Sequence, residues 1–250
     1  MTISFWIAGK HTVISAIKNQ KRKILKVLVS NKENEILIKN HLLLHKKSAN
    51  INFASNTEII KLLNNKEIAH QGIIALIEKI EPINEKDIIE NLNNFPEATV
   101  VVLDNLTDQR NIGSIIRSSV AFYVDAVFIL KKNYNFNNES MYKSASGGME
   151  HIPIVPVVNL SNTINFLKQN NFWIVGLDGK GDVDLIKFKW PLKVAIVVGS
   201  EGKGLRRLTK ENCDNLGKID TNPVIDSLNA SNAVASCLTL RLRQKKSPEK

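Results

Sequence analysis

The stretch that decides the fold is residues 194–208, VAIVVGSEGKGLRRL, where an apolar run is followed at once by three glycines within six residues. Residues 194–198 are apolar at every position, which is typical of a parallel strand buried on both faces. Residues 199–204 predict a tight turn that lets the backbone approach a ligand closely. Ligands of open α/β sheets bind beyond the carboxyl ends of strands. This turn is therefore a candidate binding loop, with a plain strand-to-helix turn as the alternative.

Other short apolar runs surround this stretch in the second half of the chain. They cover residues 100–103, 126–130, 154–157 and 173–177. The spacing between them leaves room for crossover helices, as parallel strands require. The sequence therefore predicts an α/β domain with a mostly parallel sheet.

The first eighty residues predict a separate, small αβ domain. They contain a helical stretch at 11–18, a strand at 24–30 and a second apolar run at 72–77. An acidic, Asn-rich stretch bracketed by Pro82 and Pro96 then indicates a linker with room for one short helix. The expected domain limits are 1–79 for the first domain, 80–98 for the linker and 99–250 for the second.

Composition narrows the class of protein. With 43% hydrophobic residues among 250, the chain can bury a sizeable core, which argues against a wholly disordered protein. No run approaches 18 apolar residues, so we expect no membrane partner, and two cysteines fit a reducing, cytoplasmic compartment. The five histidines are scattered without companions at ligand spacing, so no metal site is expected.

Positive charge indicates a polyanionic partner. The 34 Lys and Arg residues outnumber 24 Asp and Glu residues, for a net charge of +10. Between residues 10 and 26 there are six basic side chains and no acidic one: Lys10, Lys18, Lys21, Arg22, Lys23 and Lys26. We interpret these six as candidate RNA-binding residues, because neutralising phosphates supplies sequence-independent affinity. The alternative is a merely basic, solvated surface.

A helix with one outlying arginine follows the strand at 100–103. Its apolar positions recur at helical spacing from Ile112, and Asn111 or Asp108 can cap its start. Arg117 lies about 140° around the helix from Ile112, off the apolar stripe. An anion near the helix start would also meet free backbone N–H groups. The alternative is a surface arginine beside a capping residue.

The candidate loop at 199–204 lacks the spacing of a Walker loop and of a dinucleotide fingerprint, so a P-loop enzyme is disfavoured. Glu201 suits a hydroxyl or amine better than a phosphate. Further on, Ser227 is a candidate helix N-cap. Asn229 and Asn232 are mediocre helix formers, which indicates that another interaction holds them in place. Cys237 is interpreted as a small buried hydrophobe.

Taken in order, these segments resemble the three motifs of the SpoU (TrmH) branch of the SPOUT RNA methyltransferases. Asn111, Gly113 and Arg117 match the first motif, N-x-G-x-x-x-R, and residues 199–214 match the second nearly throughout. The third is matched by Ile219, Ser227, Leu228, Asn229, Ser231 and Ala233. Residues 143–153 resemble a further family stretch, and residues 9–13 and 70–75 resemble the ribosomal-protein-like substrate-binding domain of the RlmB-like subgroup.

The resemblance implies a SPOUT domain with a deep trefoil knot, a homodimer, and methyl transfer from S-adenosylmethionine to a ribose 2′-hydroxyl of rRNA or tRNA. It implies cofactor contacts at Gly199, Ile219 and Leu228, largely through backbone groups. It implies a catalytic Arg117, with Asn111, Glu201, Ser227 and Asn229 around the ribose and phosphate. Asp220-Thr221 replaces the usual Pro-Met, and Asn232 replaces a common Val. We expect cofactor binding to survive these departures.

The resulting interpretation is a cytoplasmic, dimeric 2′-O-ribose methyltransferase that acts on guanosine in large-subunit rRNA. The two-domain layout favours rRNA by analogy with the subgroup. The alternatives are a tRNA methyltransferase and a non-catalytic RNA-binding ribosome-assembly factor. Arginine is normally protonated. Arg117 is therefore expected either to clamp the RNA phosphate and polarise the hydroxyl, or to act as a base with a perturbed proton affinity.

Overall fold

The computed structural model describes residues 3–64, 66–222, 224–225 and 227–246, which form two compact units. The first unit contains the described residues up to Glu81 together with Asn135–His151. The second contains Pro82–Tyr134 and the described residues from Ile152 onward. Residues 135–151 fall in the range predicted for the second domain, yet their contacts group them with the first unit.

Helices and strands alternate along the chain except at β8, β9 and β10, which follow one another without a helix between them. In chain order the strands are β1 (Ser4–Ala8), β2 (Ile24–Val29), β3 (Asn50–Phe53), β4 (Ile73–Glu78), β5 (Ala98–Asp104), β6 (Ala126–Leu130), β7 (Ile154–Val157), β8 (Trp173–Leu177), β9 (Val183–Asp184), β10 (Lys193–Gly199) and β11 (Asn215–Lys218). The α-helices are α1 (Lys10–Lys18), α2 (Lys32–Leu44), α3 (Asn56–Leu62), α4 (Glu85–Asn93), α5 (Gln109–Ala121), α6 (Glu139–Ala145), α7 (Leu160–Gln169), α8 (Arg207–Glu211) and α9 (Ala230–Lys246).

The first unit is built on a four-stranded mixed sheet in the order β1-β4-β2-β3. Strand β4 pairs antiparallel with β1 and β2, and β2 pairs parallel with β3. Its core contains Leu28 and Ile74 from the sheet, packed with Ile59 of α3. Helix α3 begins at a capping box, in which Ser55 and Glu58 satisfy each other's backbone N–H groups.

The second unit is built on a seven-stranded sheet in the order β7-β6-β5-β10-β8-β11-β9, and every pair in it is parallel. This confirms the predicted α/β fold class. The predicted strands at 126–130, 154–157 and 173–177 have the bounds of β6, β7 and β8. The trefoil knot stays a prediction, because strand order does not record how the chain is threaded.

The segment predicted as a linker at 80–98 contains helix α4, as its spacing allowed. Asn84 caps the helix by accepting a hydrogen bond from the Lys86 N–H. Ile88, Ile89 and Leu92 are buried in the core of the second unit. The stretch is therefore largely a packed part of that unit. No helix in the described part of the chain is long and apolar enough to cross a membrane.

Two predicted helix starts are resolved by the structure. Asp108, and not Asn111, caps α5, because its side chain accepts hydrogen bonds from the N–H groups of residues 110 and 111. The prediction that Ser227 is an N-cap is wrong. Asn229 occupies that position, because its Oδ1 accepts the N–H of Ser231 at 2.9 Å and the N–H of Asn232 at 3.4 Å. The side-chain amides of Asn111 and Asn229 therefore lie at the starts of α5 and α9.

Candidate active site

A cavity of about 380 Å³ lies at the carboxyl ends of β8 and β10 in the second unit. Its walls are the loops that follow β8, β10 and β11, together with the first turn of α9. This is the edge at which parallel α/β sheets bind ligands, because the loops there are free to vary while the strands hold them in place. The cavity is therefore the first candidate for a cofactor site.

The three residues expected to contact a cofactor all line this cavity. Gly199, Ile219 and Leu228 come from different loops, and the structure brings them to one space. A Cβ placed on Gly199 would lie 2.1 Å from the carbonyl carbon of Gly204, so only glycine fits there. Gly202 and Gly204 have φ angles of 78° and 62°, which favour glycine. The loop can thus expose its backbone to a ligand.

Both signs of charge are present around the cavity. Lys210 Nζ lies 2.5 Å from Asp178 Oδ2. Partial burial raises the pKa of Asp178, but hydrogen bonds from Lys210 and from the Lys180 N–H outweigh it and hold the pKa below its usual value. Lys180, Lys203 and Lys218 add cationic side chains to the lining. A carboxylate, lysines and exposed backbone fit a ligand such as S-adenosylmethionine, which carries an ammonium, a carboxylate and a purine.

A hydrogen-bonded network joins the three sequence motifs. Asn111 Nδ2 donates to Glu201 Oε1 at 2.8 Å, and Asn229 Nδ2 donates to Asn111 Oδ1 at 3.0 Å. Asn229 Nδ2 also donates to Glu201 Oε1. Glu201 is exposed, and its Oε2 accepts no hydrogen bond from the described residues. We call these three residues the motif network; it leaves one carboxylate oxygen free for a ligand.

Two other site candidates lie outside the motif network. Ser227 is exposed and lines the cavity beside Leu228, without a hydrogen bond to the network. Arg117 is exposed on α5, and its side chain forms no ion pair or hydrogen bond within the described ranges. The buried face of α5 carries Ile112, Ile115 and Ile116, so Arg117 points away from the core as its position on the helix predicts.

An ion pair between a buried carboxylate and an exposed arginine, which the sequence analysis missed, fixes the glycine loop. Asp104, the last residue of β5, is fully buried and accepts Arg206 Nε at 2.6 Å. Its second oxygen accepts the Arg206 backbone N–H at 2.9 Å. The signal available in the sequence was an acidic residue that ends an apolar strand. Because Arg206 follows the loop at 199–204, this pair holds the loop against the neighbouring strand.

Of the six basic residues between positions 10 and 26 of the first unit, five are exposed and one is buried. The lysines at 10, 18, 21, 23 and 26 are exposed, and Lys23 pairs with Glu78 at 2.6 Å. Arg22 differs from the expectation, because only 5% of it is exposed. Its Nη2 lies 3.0 Å from Glu150 Oε1, and its Nη1 donates to the Glu78 carbonyl at 2.7 Å. The Arg22 guanidinium is therefore bonded to groups of its own chain and is not available to bind RNA phosphate.

Two family models match the chain. Residues 98–239 match the SpoU rRNA Methylase family, and residues 6–83 match a family described as RNA 2′-O ribose methyltransferase substrate binding. The chain is 38% identical over 176 residues to the 23S rRNA (guanosine-2′-O-)-methyltransferase RlmB of Salmonella typhi, covering 70% of this chain and 72% of that protein. The Escherichia coli K12 protein of the same name is 37% identical with the same coverage.

Solved structures share the fold over nearly the whole chain. The SpoU methyltransferase AviRb from Streptomyces viridochromogenes, in complex with the cofactor AdoMet, has a TM-score of 0.81 at 21% identity and covers 98% of this chain and 92% of its own. An AdoMet-bound rRNA methyltransferase from Sinorhizobium meliloti has a TM-score of 0.77 at 20% identity and covers 96% and 87%. At these identities the likeness concerns the fold.

Proposed function

This chain belongs to the SpoU rRNA methylase family, and from that premise we propose that it transfers a methyl group from S-adenosylmethionine to the ribose 2′-hydroxyl of a guanosine in large-subunit rRNA. The observation that carries the proposal is the motif network of Asn111, Glu201 and Asn229, beside the cavity that Glu201 itself helps to line. The guanosine and the rRNA are proposed from the names of the 38% and 37% identical relatives.

The cavity residues would hold the methyl donor. Backbone groups at Gly199, Ile219 and Leu228 are proposed to contact it, and Asp178 is placed to accept its ammonium group. When bound, S-adenosylmethionine supplies a methyl group made electrophilic by a sulfonium. Thr221 also lines the cavity, so the Asp220-Thr221 departure lies at the site, and Ile219 still belongs to the lining.

The motif network would orient the attacking ribose. With Oε1 of Glu201 held by two amides, Oε2 is free to accept a hydrogen bond from a ribose hydroxyl. Fixing two reactants in line contributes roughly 7–11 kcal/mol in favourable cases, whereas one proton-transfer group contributes about 10²–10⁴-fold. Positioning is therefore the larger part of what these residues supply.

Arg117 would act on the RNA phosphate next to that ribose. Its guanidinium is exposed and free of partners in the described part of its own chain, so it can form two parallel hydrogen bonds with a phosphate. Held there, it would clamp the phosphate and polarise the hydroxyl. A base with a perturbed proton affinity is the second candidate role. Comparing Arg117→Lys with Arg117→Ala tests both roles, because wild-type turnover in both variants would eliminate either one.

We also propose that the chain works as a homodimer in the cytoplasm. Arg117 forms no hydrogen bond or ion pair with the motif network in the described part of its own chain, so a second copy is a candidate source of the arginine at each site. The cytoplasmic setting is supported by two free cysteines and by a substrate in ribosomal RNA. Sedimentation of the purified protein tests the dimer: a monomer at assay concentration would contradict it.

The test of the proposed activity is methyl transfer from labelled S-adenosylmethionine to unmodified total RNA, with rRNA and tRNA separated and the labelled nucleoside identified. We expect 2′-O-methylguanosine in the large rRNA. Label confined to tRNA would keep the enzyme and replace its substrate. No label in RNA or in assembling ribosomal particles, from protein that binds RNA, would favour a non-catalytic RNA-binding factor.

A further inference from the structure

Three family-like sequence stretches that the proposed chemistry leaves without a role meet in the first unit. They are residues 9–13, residues 70–75 and the part of the stretch 143–153 that belongs to this unit, residues 143–151. They come from the start of α1, the start of β4 and the region of α6. Their meeting point is the ammonium of Lys143. Chain segments about 60 and 70 residues apart therefore converge on one cation.

The Lys143 ammonium is hydrogen-bonded to Gln71 and lies close to the backbone of Gly9. Its Nζ donates to Gln71 Oε1 at 3.2 Å, and the same oxygen accepts the backbone N–H of Lys10 at 3.1 Å. A Cβ placed on Gly9 would lie 2.6 Å from that Nζ. Replacing Gly9 with any other residue would therefore displace the ammonium.

The backbone around Lys143 adopts conformations that most residues avoid. Gly9, Gln71 and Gly72 have φ angles of 101°, 57° and 71°. A left-handed, non-glycine residue such as Gln71 costs on the order of 1–3 kcal/mol, and such strain concentrates at functional sites. The Gly72 N–H donates to His70 Nδ1 at 3.0 Å, which leaves the imidazole proton on Nε2.

The charges at this place are not balanced. Lys143 is half-buried, and burial lowers its pKa. Within the described ranges no carboxylate lies at ion-pair distance from Lys143 or Lys10. Five other lysines of the same unit do have partners: Lys23, Lys32, Lys39 and Lys79 pair with carboxylates, and Lys47 donates to backbone carbonyls. A partly desolvated cation without a counter-anion favours an external one.

We propose that Lys143, Lys10, His70 and Gln71, here called the Lys143 cluster, bind a backbone phosphate of the substrate RNA. The phosphate accepts from the Lys143 ammonium, the exposed Lys10 side chain and the His70 Nε2–H, while Gln71 positions the ammonium. The choice of RNA over a small anion rests on the proposed function. It is supported by the match of residues 6–83 to an RNA methyltransferase substrate-binding family and by the net charge of +10.

Three variants that each change the net charge by −1 test the proposal. Lys143→Met removes the cation. Gln71→Glu supplies a carboxylate to the same cation while keeping an oxygen for both existing hydrogen bonds. Lys61→Met, on the exposed side of α3, is the matched control. The readouts are the Kd for unmodified large-subunit rRNA at several salt concentrations, the KM and kcat for methyl transfer, and the thermal unfolding midpoint.

We expect Lys143→Met and Gln71→Glu to raise Kd and KM about five- to tenfold with kcat nearly unchanged. The slope of log affinity against log salt should fall by about 0.7, the value for one phosphate contact to a single strand. Lys61→Met should stay within twofold of wild type. If Lys143→Met lowers the unfolding midpoint, Gln71→Glu carries the test alone, since it keeps both hydrogen bonds.

Equal RNA affinity in wild type and Gln71→Glu would overturn the proposal, as would an equal loss in Lys61→Met. In a separate experiment, inorganic phosphate is titrated into the wild-type protein. Tight binding of phosphate, together with an RNA affinity that does not depend on Lys143, would assign the cluster to a small anion and would also overturn the proposal. Wild type that binds RNA through Lys143 but transfers no methyl group would instead contradict the proposed function and leave the cluster standing.

Discussion

Each of the two units contains a polar network that joins distant parts of the chain. The two networks differ in how many side-chain atoms remain free to form hydrogen bonds with a ligand. Around Arg22, the guanidinium and the Glu150 carboxylate are buried, with side-chain exposures of 4% and 0%. In the motif network, Glu201 and Asn229 are exposed and one carboxylate oxygen is free. Long-range polar contact alone therefore does not distinguish a candidate catalytic site from a structural ion pair. The feature that separates the two networks is the hydrogen-bonding capacity that the motif network leaves free at its exposed surface.

The same contrast separates two arginines that the sequence analysis treated as functional. Burial lowers the pKa of Arg22, but Tyr142 and Glu150 outweigh it, so the pKa is raised and the guanidinium stays charged inside the fold. Arg117 is exposed and free of partners in the described residues. Arg22 is expected to act on stability and Arg117 on catalysis, which gives the predictions below.

The largest expected effect is the loss of stability on removing the buried cation. Arg22→Met leaves the buried Glu150 carboxylate without its ion-pair partner and with only the hydrogen bond from Asn19 Nδ2 among the described residues, and such changes cost about 3–5 kcal/mol. The neighbouring Lys23→Met removes an exposed pair and should cost about 1 kcal/mol or less. Hydrogen exchange of the β2 and β4 amides measures both. Equal protection in the two variants would remove the distinction between the networks.

The next effect is on catalysis. Arg117→Ala should lower kcat/KM for methyl transfer by about 10²–10³-fold, the loss typical of one preorganised electrostatic donor. The unfolding midpoint should stay unchanged, because the side chain has no partner in the described structure. Arg110→Ala, an exposed arginine in the first turn of the same helix, is the control and should stay within about threefold. A destabilised Arg117→Ala would give this arginine a structural role.

A smaller effect is expected from neutralising the motif network. Glu201→Gln keeps the size of the side chain but replaces charge-assisted hydrogen bonds with neutral ones, about half as strong. We expect roughly a tenfold loss in kcat/KM, which corresponds to about 1.4 kcal/mol. Glu211→Gln, which removes an exposed carboxylate paired with Arg207, serves as the control. Wild-type turnover in Glu201→Gln would show that the carboxylate charge is dispensable.

The smallest effect concerns the thiols. Burial raises the pKa of Cys213 to about 12, and its Sγ donates to the Thr209 carbonyl at 3.2 Å. Burial also raises the pKa of Cys237, which is fully buried. Because the thiolate is the reactive form, iodoacetamide at pH 8 should label neither cysteine in the native protein and leave activity unchanged. Labelling in urea is the control, and fast native labelling would contradict the burial.

The sequence predicted the strands best where both faces of the strand are buried. Strands such as β6 and β8 lie inside the sheet of the second unit, so both of their faces require apolar residues and the runs are continuous. Strands β1, β3, β9 and β11 were missed. The segments of β3 and β11, NINF and NLGK, lack such a run. Their pairing depends on neighbouring strands, which a local pattern does not contain.

The site was predictable in its residue types and not in its contacts. The motifs placed Asn111, Glu201 and Asn229 in order, but the hydrogen bonds among them depend on how α5, α9 and the glycine loop converge. The charge pattern of the sequence selected Arg22 as a candidate RNA-binding residue, because a pattern contains residue types but does not show that Glu150 is its partner. Asn229 was noted as an unexpected helix residue, and its cap and its bond to Glu201 supply the reason.

The contribution of Asn135–His151 to the first unit has a consequence for synthesis of the protein. The chain emerges from the ribosome in order, so residues 3–81 are made while Arg22 still lacks Glu150 and Asn64 still lacks Glu139. At about 5–20 residues per second, the missing segment follows several seconds later. During that interval β1 is without α6, so the first unit cannot be completed until residues 82–134 of the second unit have been translated.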